Sequence, residues 1–544
     1  MISFFESSVR INPDAPFLNY VREDGSRFVY TYWQSRLISA AFARRLQASG
    51  VTPGNTVIID LPNGPEFVFS ILACAYAGLS MLMLDHSLTE AEKIARVLES
   101  ERSGIKAACR IDLSFAESML GFIRNLPEDD YQIVRSIFDG NRRSRPVMGE
   151  EQDIVDDVVH FAERSSHLFD SGMLATVLFS GGKAKKGKGR SSKVKAVPLS
   201  WENLVSASSL VNDALGAGSD NFLQERLPFN SFSSSRGSFA LDASVPCAWQ
   251  CIQSLGSIDG LQSLVRSVIA KAPFFLYDQN SAEHVLNDAE AAGNMFIAVD
   301  DSSMQELLTI EEWRADALLG VKSRLSSYKC VLLTDNQRNP RTLKRAIELG
   351  APMYVSHGIV QASGIIALMR VGMHYNGGVF PLDGYDLEII DPDEDGFGKL
   401  ALRGPGVFSG YLNSQTALTL DHYFITEERA AYIDGLIYWR NRSENMFVSA
   451  GQDIYPVEIA DVLRHVQGVS GVHVFGVKDS KCGMLPVAAI ERSEPTLTPE
   501  DIAEKTRQWF SSITVPISIF VFDSLPRTVM GKLDRSAIES FFCA

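Results

Sequence analysis

Positive charge is the first thing this chain is short of. Its 544 residues carry 51 Lys and Arg against 66 Asp and Glu, a net charge of −15. Neutralising nucleic-acid phosphates requires a basic face, so this balance argues against a nucleic-acid partner. Paired cysteines are missing as well. Cys74, Cys109, Cys247, Cys251, Cys330, Cys482 and Cys543 stand singly, and the nearest two have no second pair or flanking His to complete a zinc site. The nine histidines show no paired metal spacing, and no Gly-x-Ser-x-Gly elbow accompanies them. Residues 1–6 meet charge at once, which predicts no secretory signal, and the odd cysteine count fits a reducing cytoplasm. Long apolar runs are scarce. Residues 67–84 are 18 positions without a charge, the lower threshold for a membrane span. Ser70, Tyr76, Gly78 and Ser80 interrupt them, so the expectation is a buried helix followed by a buried strand, with no transmembrane span.

What is present describes an ordinary globular chain, 45% hydrophobic and 22% charged. Its length allows two to four domains at roughly 150 residues each. Trp33, Leu37, Ile38, Ala41, Phe42 and Leu46 recur at helical spacing, and Gly50-Val51-Thr52-Pro53-Gly54 stops that helix. Residues 56–60 read as a strand, and Asn63-Gly64-Pro65 opens the next helix. Strand, helix and strand with short connections imply parallel pairing in a doubly wound α/β sheet. Near residue 440 the character changes. A short strand over 436–439 meets the polar stretch Arg440-Asn441-Arg442-Ser443-Glu444-Asn445, which suits a hinge. Apolar segments at 472–477 and 517–522 then suffice for a small α+β domain. The expected division is 1–440 and 441–544.

Two stretches offer chemistry. After an apolar strand-like run comes Ser180-Gly181-Gly182-Lys183-Ala184-Lys185-Lys186-Gly187-Lys188-Gly189, continuing through further basic residues to Lys195. Glycines let backbone N–H groups approach an anion and lysines supply charge, the makings of a phosphate cradle. A solvated basic loop is the alternative reading. A P-loop proper is disfavoured, because Gly189 occupies its required Ser/Thr position. Near the C-terminus, Pro526-Arg527-Thr528-Val529-Met530-Gly531-Lys532 makes a turn from which Lys532 projects. A lysine held in that way can neutralise developing phosphoryl charge, and an ordinary surface turn is the alternative.

Between them stand Gly398-Lys399-Leu400-Ala401-Leu402-Arg403-Gly404-Pro405-Gly406 through Tyr411, Tyr423-Phe424-Ile425-Thr426-Glu427-Glu428, and Asn441-Arg442-Ser443-Glu444 through Gly451-Gln452-Asp453-Ile454-Tyr455-Pro456. In this order and spacing the motifs resemble the acyl-adenylate-forming superfamily of acyl-CoA ligases, carrier-loading adenylation domains and luciferases. The resemblance implies a large N-terminal domain of doubly wound sheets and a smaller, mobile α+β C-terminal domain. It implies attack of a carboxylate on the α-phosphate of ATP, then displacement of AMP by a thiol. Lys532 matches the lysine that stabilises the adenylation transition state. Arg442 matches the linker arginine near ribose and phosphate, and Glu444 falls on the hinge position. Glu428 takes the place of the ribose-binding Asp. Ser180, Gly181 and Gly182 overlie the start of the phosphate loop, whose usual form is Ser-Gly-Thr-Thr-Gly-x-Pro-Lys-Gly, and Lys195 matches its lysine. Ser356-His357-Gly358-Ile359-Val360-Gln361 overlies Tyr-Gly-x-Thr-Glu. His357 thus stands for the adenine-stacking aromatic beside Gly358, and Gln361 for the carboxylate that helps hold Mg²⁺.

The resemblance thus implies ATP, Mg²⁺ and coenzyme A as cofactors, and a small-molecule carboxylate as substrate. The phosphopantetheine of an acyl carrier protein is the alternative thiol. The acyl pocket is expected around residues 232–237 and 358–364. Both loop threonines are missing, and an amide at 361 brings Mg²⁺ none of the charge it prefers. A family member that binds an acyl-adenylate, a nucleotide or a partner without turnover is therefore the reading from a different class.

Overall fold

The computed structural model describes residues 1–86, 88–114, 160–165, 170–180, 195–217, 247–278, 281–317, 323–334, 340–372, 375, 377–394, 396–412, 418–440, 447–449, 452–454, 456–464, 466–479, 483–506, 517–526, 533 and 535–542. The architecture is mixed α/β, with a large N-terminal assembly of sheets and a smaller C-terminal one. A five-stranded sheet runs in the order Ala107–Ile111, Thr56–Ile59, Ser80–Met83, Leu174–Ser180, Lys195–Ser200. It is parallel except for its last pair, in which Leu174–Ser180 and Lys195–Ser200 are antiparallel with Ser180 opposite Lys195. An eight-stranded sheet is parallel through its centre and closed by antiparallel pairs at both ends. One end pair is Met353–Ile359 with Gly364–Arg370, whose connecting turn carries Gln361. A four-stranded antiparallel sheet follows, made of Asp386–Ile390, Gly398–Arg403, Phe424–Ile433 and Leu436–Arg440. The C-terminal part holds a three-stranded sheet, Val469–Asp479, Gly483–Arg492 and Ser518–Phe522, with its own apolar core.

Sequence signals and elements agree where the periodicity is strong. The predicted helix forms as Tyr32–Ala48, started by a capping box between Thr31 and Gln34. The uncharged run becomes helix Pro65–Ala77 and strand Ser80–Met83, buried at every position of the helix from Phe67 onward and throughout the strand. Among the described residues no helix is long and apolar enough to cross a membrane. The basic stretch 181–194 lies outside the described residues.

Three N-terminal helices share one buried polar knot. Glu6 of Ile2–Ile11 accepts from Arg36 Nε of Tyr32–Ala48 at 2.9 Å and from the Tyr76 hydroxyl of Pro65–Ala77. Glu6 and Arg36 are 2% and 4% exposed. Removing one partner of a buried pair strands the other charge in a medium that solvates it poorly. Glu6→Ala is expected to cost about 3–5 kcal/mol of stability, read from urea unfolding. A loss under about 1 kcal/mol would show that the pair is solvated like a surface bridge.

Candidate functional site

The turn after strand Met353–Ile359 is the centre of the site. Val360–Ala362 form one 3₁₀ turn, and Ser363 follows at φ 58°, reversing the chain into Gly364–Arg370. Two glycines make this reversal fit. A Cβ at Gly358 would stand 2.7 Å from the Gly364 carbonyl oxygen, and one at Gly406 would collide with the Tyr385 hydroxyl and the Ala362 carbonyl. The loop around Gly406 therefore lies directly on the turn. Ser363 Oγ donates to the Gly406 carbonyl at 2.8 Å, and Phe408 N–H donates to the Gln361 carbonyl at 2.8 Å.

This packing aims the Gln361 carboxamide at the end of the five-stranded sheet. Its Nε2 donates to Ser180 Oγ at 2.9 Å and to the Tyr411 hydroxyl at 2.8 Å. Lys195, opposite Ser180 in register, places its ammonium 5.1 Å from the Tyr411 ring centroid and 2.9 Å from Glu427 Oε1. Alternation along strand Phe424–Ile433 turns Glu427 outward and Glu428 inward. Glu428 is 6% exposed and its Oε2 lies 2.7 Å from His357 Nε2. The His357 ring, 3% exposed, stacks on Trp439 with centroids 3.7 Å apart and planes 15° from parallel.

Five of the residues singled out from sequence, Ser180, Lys195, His357, Gln361 and Glu428, thus meet through direct contacts or adjacent positions. Gly358 is the close-approach residue beside them. Gly181, Gly182, Arg442, Glu444 and Lys532 lie outside the described residues, as do residues 232–237. Tyr411 and Trp439 belong to the site without having been assigned a role. Tyr411 ends a motif already quoted, but nothing in the sequence ties Trp439 to position 357, 82 residues earlier.

The donor set bears on two kinds of chemistry. Among the described residues no group of three or more His, Cys, Asp or Glu stands ready to hold a metal ion. Gln361 and the hydroxyls beside it are neutral oxygen groups, which fit a hard cation that takes its charge balance from phosphates. Two of the described cysteines are poor nucleophiles. Burial pushes Cys247 up to about 11 and Cys251 up to about 12, so both stay protonated at neutral pH.

The profile of AMP-binding enzymes matches residues 5–223, and that of the AMP-binding enzyme C-terminal domain matches residues 458–532, together more than half of the chain. The chain belongs to the AMP-binding enzyme family. That is the acyl-adenylate-forming superfamily expected from its motifs. A 2-succinylbenzoate–CoA ligase of Enterococcus faecalis is 26% identical over 299 residues, 53% of this chain and 60% of that protein. Listeria counterparts align over 61% of their length, so the chain spans about three fifths of these relatives. The 2-succinylbenzoate–CoA ligase of Oceanobacillus iheyensis is 23% identical across 96% of both chains. The solved o-succinylbenzoate CoA synthetase of Bacillus subtilis, in complex with its acyl-adenylate intermediate, superposes with TM-score 0.70 at 20% identity, covering 99% of this chain and 98% of that one. ATP-bound MatB of Rhodopseudomonas palustris gives TM-score 0.71 at 15% identity, covering 99% of each. At such identities the likeness establishes the fold.

The knot itself is testable without any ligand. Gln361→Leu deletes both side-chain bonds and should lower stability by about 1–2 kcal/mol in thermal or urea unfolding. Gln361→Glu should stay within about 0.5 kcal/mol of the parent, because both hydroxyls can turn to donate to the carboxylate. Equal losses in the two variants would mean that the hydroxyls cannot turn to donate and that the amide N–H groups are required.

Proposed function

We propose that this protein is an acid–thiol ligase that activates a small-molecule carboxylate with ATP and passes the acyl group to coenzyme A. The observation carrying this reading is the match to 2-succinylbenzoate–CoA ligases, which in the Oceanobacillus protein runs across 96% of both chains. The convergence of Ser180, Lys195 and Gln361 beside the His357–Glu428 pair supports it, because these positions fall on the family's phosphate, adenine and ribose motifs.

Each residue then has a task. Ser180 with Gly181 and Gly182 would cradle phosphate oxygens, and Lys195 would leave Glu427 for them. That exchange is cheap, since both members of the pair are largely solvent-exposed. Glu428 would take the ribose hydroxyls with a carboxylate already oriented by His357, and His357 on its Trp439 support would face the adenine. Arg442 would hold ribose and phosphate, and Lys532 would meet the charge that builds at the α-phosphate as pyrophosphate leaves. Gln361 would offer an uncharged oxygen to Mg²⁺, which when bound would supply charge neutralisation for the phosphates, and the basic residues within 183–195 would add positive charge. The division into domains 1–440 and 441–544, with Glu444 at the hinge, and a cytoplasmic location belong to the same proposal. Coenzyme A is preferred over a carrier protein's phosphopantetheine because the matched relatives are CoA ligases.

ATP–pyrophosphate exchange over a panel of fatty, aryl and dicarboxylic acids tests the reading, with coenzyme A and a carrier protein supplied separately as acceptors. Exchange with no acid would leave a nucleotide- or adenylate-binding protein without turnover. Lys532→Ala should slow acyl-adenylate formation by about 100-fold or more, as expected for a positioned cation worth roughly 3 kcal/mol. Thiol transfer from supplied acyl-adenylate should change by less than about threefold. Equal loss of both half-reactions would refute the assigned role. Gln361→Glu should strengthen Mg·ATP binding in calorimetry, since a carboxylate is the better ligand for this ion. An unchanged affinity would mean that Gln361 does not face the metal.

A further inference from the structure

Gln262, in helix Ile258–Ala270, is 3% exposed, and its carboxamide is spent inside the protein. Its Oε1 accepts from the Ser208 hydroxyl of helix Trp201–Leu215. Its Nε2 donates to the Ser363 carbonyl at 2.6 Å and to the Leu204 carbonyl at 3.4 Å. A reversed amide would set its oxygen against both carbonyls, so these partners allow one orientation. The Ser363 bond falls where the chain needs it. Ser363 holds φ 58°, a left-handed conformation unfavourable for any residue with a Cβ. Two contacts restrain it there: its hydroxyl donates to the Gly406 carbonyl, and its carbonyl accepts from Gln262. A Cβ on the next residue, Gly364, would lie 3.7 Å from Gln262 Cγ, so the stem of this side chain lines the turn as well.

Gln262 also closes a circuit through the site. Ser180 stands opposite Lys195 in an antiparallel pair, and strand Lys195–Ser200 runs directly into helix Trp201–Leu215. That helix grips both sides of the contact between loop and turn. Asn203 Nδ2 donates to the Pro405 and Val407 carbonyls at 2.9 and 3.1 Å, and Ser208 meets Gln262. Gln262 bonds Ser363, the turn leads back to Gln361, and Gln361 Nε2 returns to Ser180. Every link is a stretch of chain or a hydrogen bond. Without the Gln262 donor, the left-handed Ser363 keeps one of these two restraints and its buried carbonyl loses a partner. Relaxation of φ at residue 363 swings the residues before it, Gln361 among them, relative to Ser180.

We propose that Gln262 is a positioning residue for the adenylation step, setting the turn so that Gln361 presents its carboxamide beside Ser180, where the nucleotide phosphates arrive. Its own polar atoms are buried and engaged, so it acts through Gln361 and not by touching substrate. The catalytic consequence rests on the ligase reading above. The coupling between Gln262 and Gln361 rests on the contacts alone.

The test is a double-variant cycle on the full chain between Gln262→Met, which keeps the side chain's length and removes its polar atoms, and Gln361→Leu. In thermal unfolding without ligand, each single variant should lower the melting temperature by a few degrees. The double variant should fall clearly short of the sum, because a misplaced Gln361 has already lost its bonds. In pyrophosphate exchange with the best acid of the panel, Gln262→Met should raise the KM for Mg·ATP about tenfold and leave the KM for the acid within about threefold. Adding Gln361→Leu to it should change the Mg·ATP value by less than about threefold. Should Gln262→Met not fold, Ser208→Ala, which removes only the partner of Oε1, carries the same cycle with smaller shifts in the same direction. Additive losses in either measurement overturn the proposal, since Gln262 would then serve the core independently of Gln361. Exchange with no acid overturns the ligase reading and the adenylation role with it, and the unfolding cycle then still decides whether Gln262 sets Gln361.

Discussion

The site depends on the close approach between the turn at residues 359–364 and the loop at residues 404–408. Only a hydrogen atom at Gly406 allows the two backbones to touch, while the one at Gly358 leaves room for the turn's own return strand, and that contact fixes where Gln361 points. From there one carboxamide links three elements distant in sequence: the end of a parallel-sheet strand at Ser180, the eight-stranded sheet through its own turn, and the segment carrying Tyr411. Each bond alone is worth about 1 kcal/mol. The aromatic group behind them, Phe408, Tyr411 and Phe424 in edge-to-face contact, supplies the apolar packing that keeps the bonds aligned.

A second consequence follows from strand alternation. Glu427 and Glu428 are adjacent in sequence yet live in different solvents. Glu427 faces water and holds an exposed lysine, whereas Glu428 is buried against His357. The first pair is easily exchanged for a ligand, and the second is oriented by packing as well as by charge, since Trp439 covers one face of the imidazole. The site therefore combines a rearrangeable edge with a fixed interior, which suits the proposed capture and positioning of a nucleotide.

The chain's treatment of buried charge carries the same logic further. Where a guanidinium serves only the fold, it is given a carboxylate, as at Arg36 and Arg324. Among the described residues Arg266 has no carboxylate partner, although it lies on a helix whose Gln262 touches the chain two residues beyond Gln361. Its stabilisation comes from the face of Trp249 and the Ser263 hydroxyl instead.

Much of this was legible in the amino-acid order. Periodicity at residues 33–46 and the uncharged run at 67–84 determined a helix, then a buried helix and strand, because apolar spacing decides local structure before tertiary contacts form. The motif order determined the superfamily, and the substitutions to His357, Gln361 and Glu428 were visible as departures from it. Tertiary structure alone decided what those departures do. That His357 bonds Glu428 and stacks on Trp439, that Gln361 spends its amide on Ser180 and Tyr411, and that Arg266 lies over the Trp249 ring are all contacts between segments distant in sequence. A sequence specifies residue types and local spacing. Which side chains share a low-dielectric interior depends on how sheets and turns pack, and that same packing sets the strength of every charge and hydrogen bond in the site.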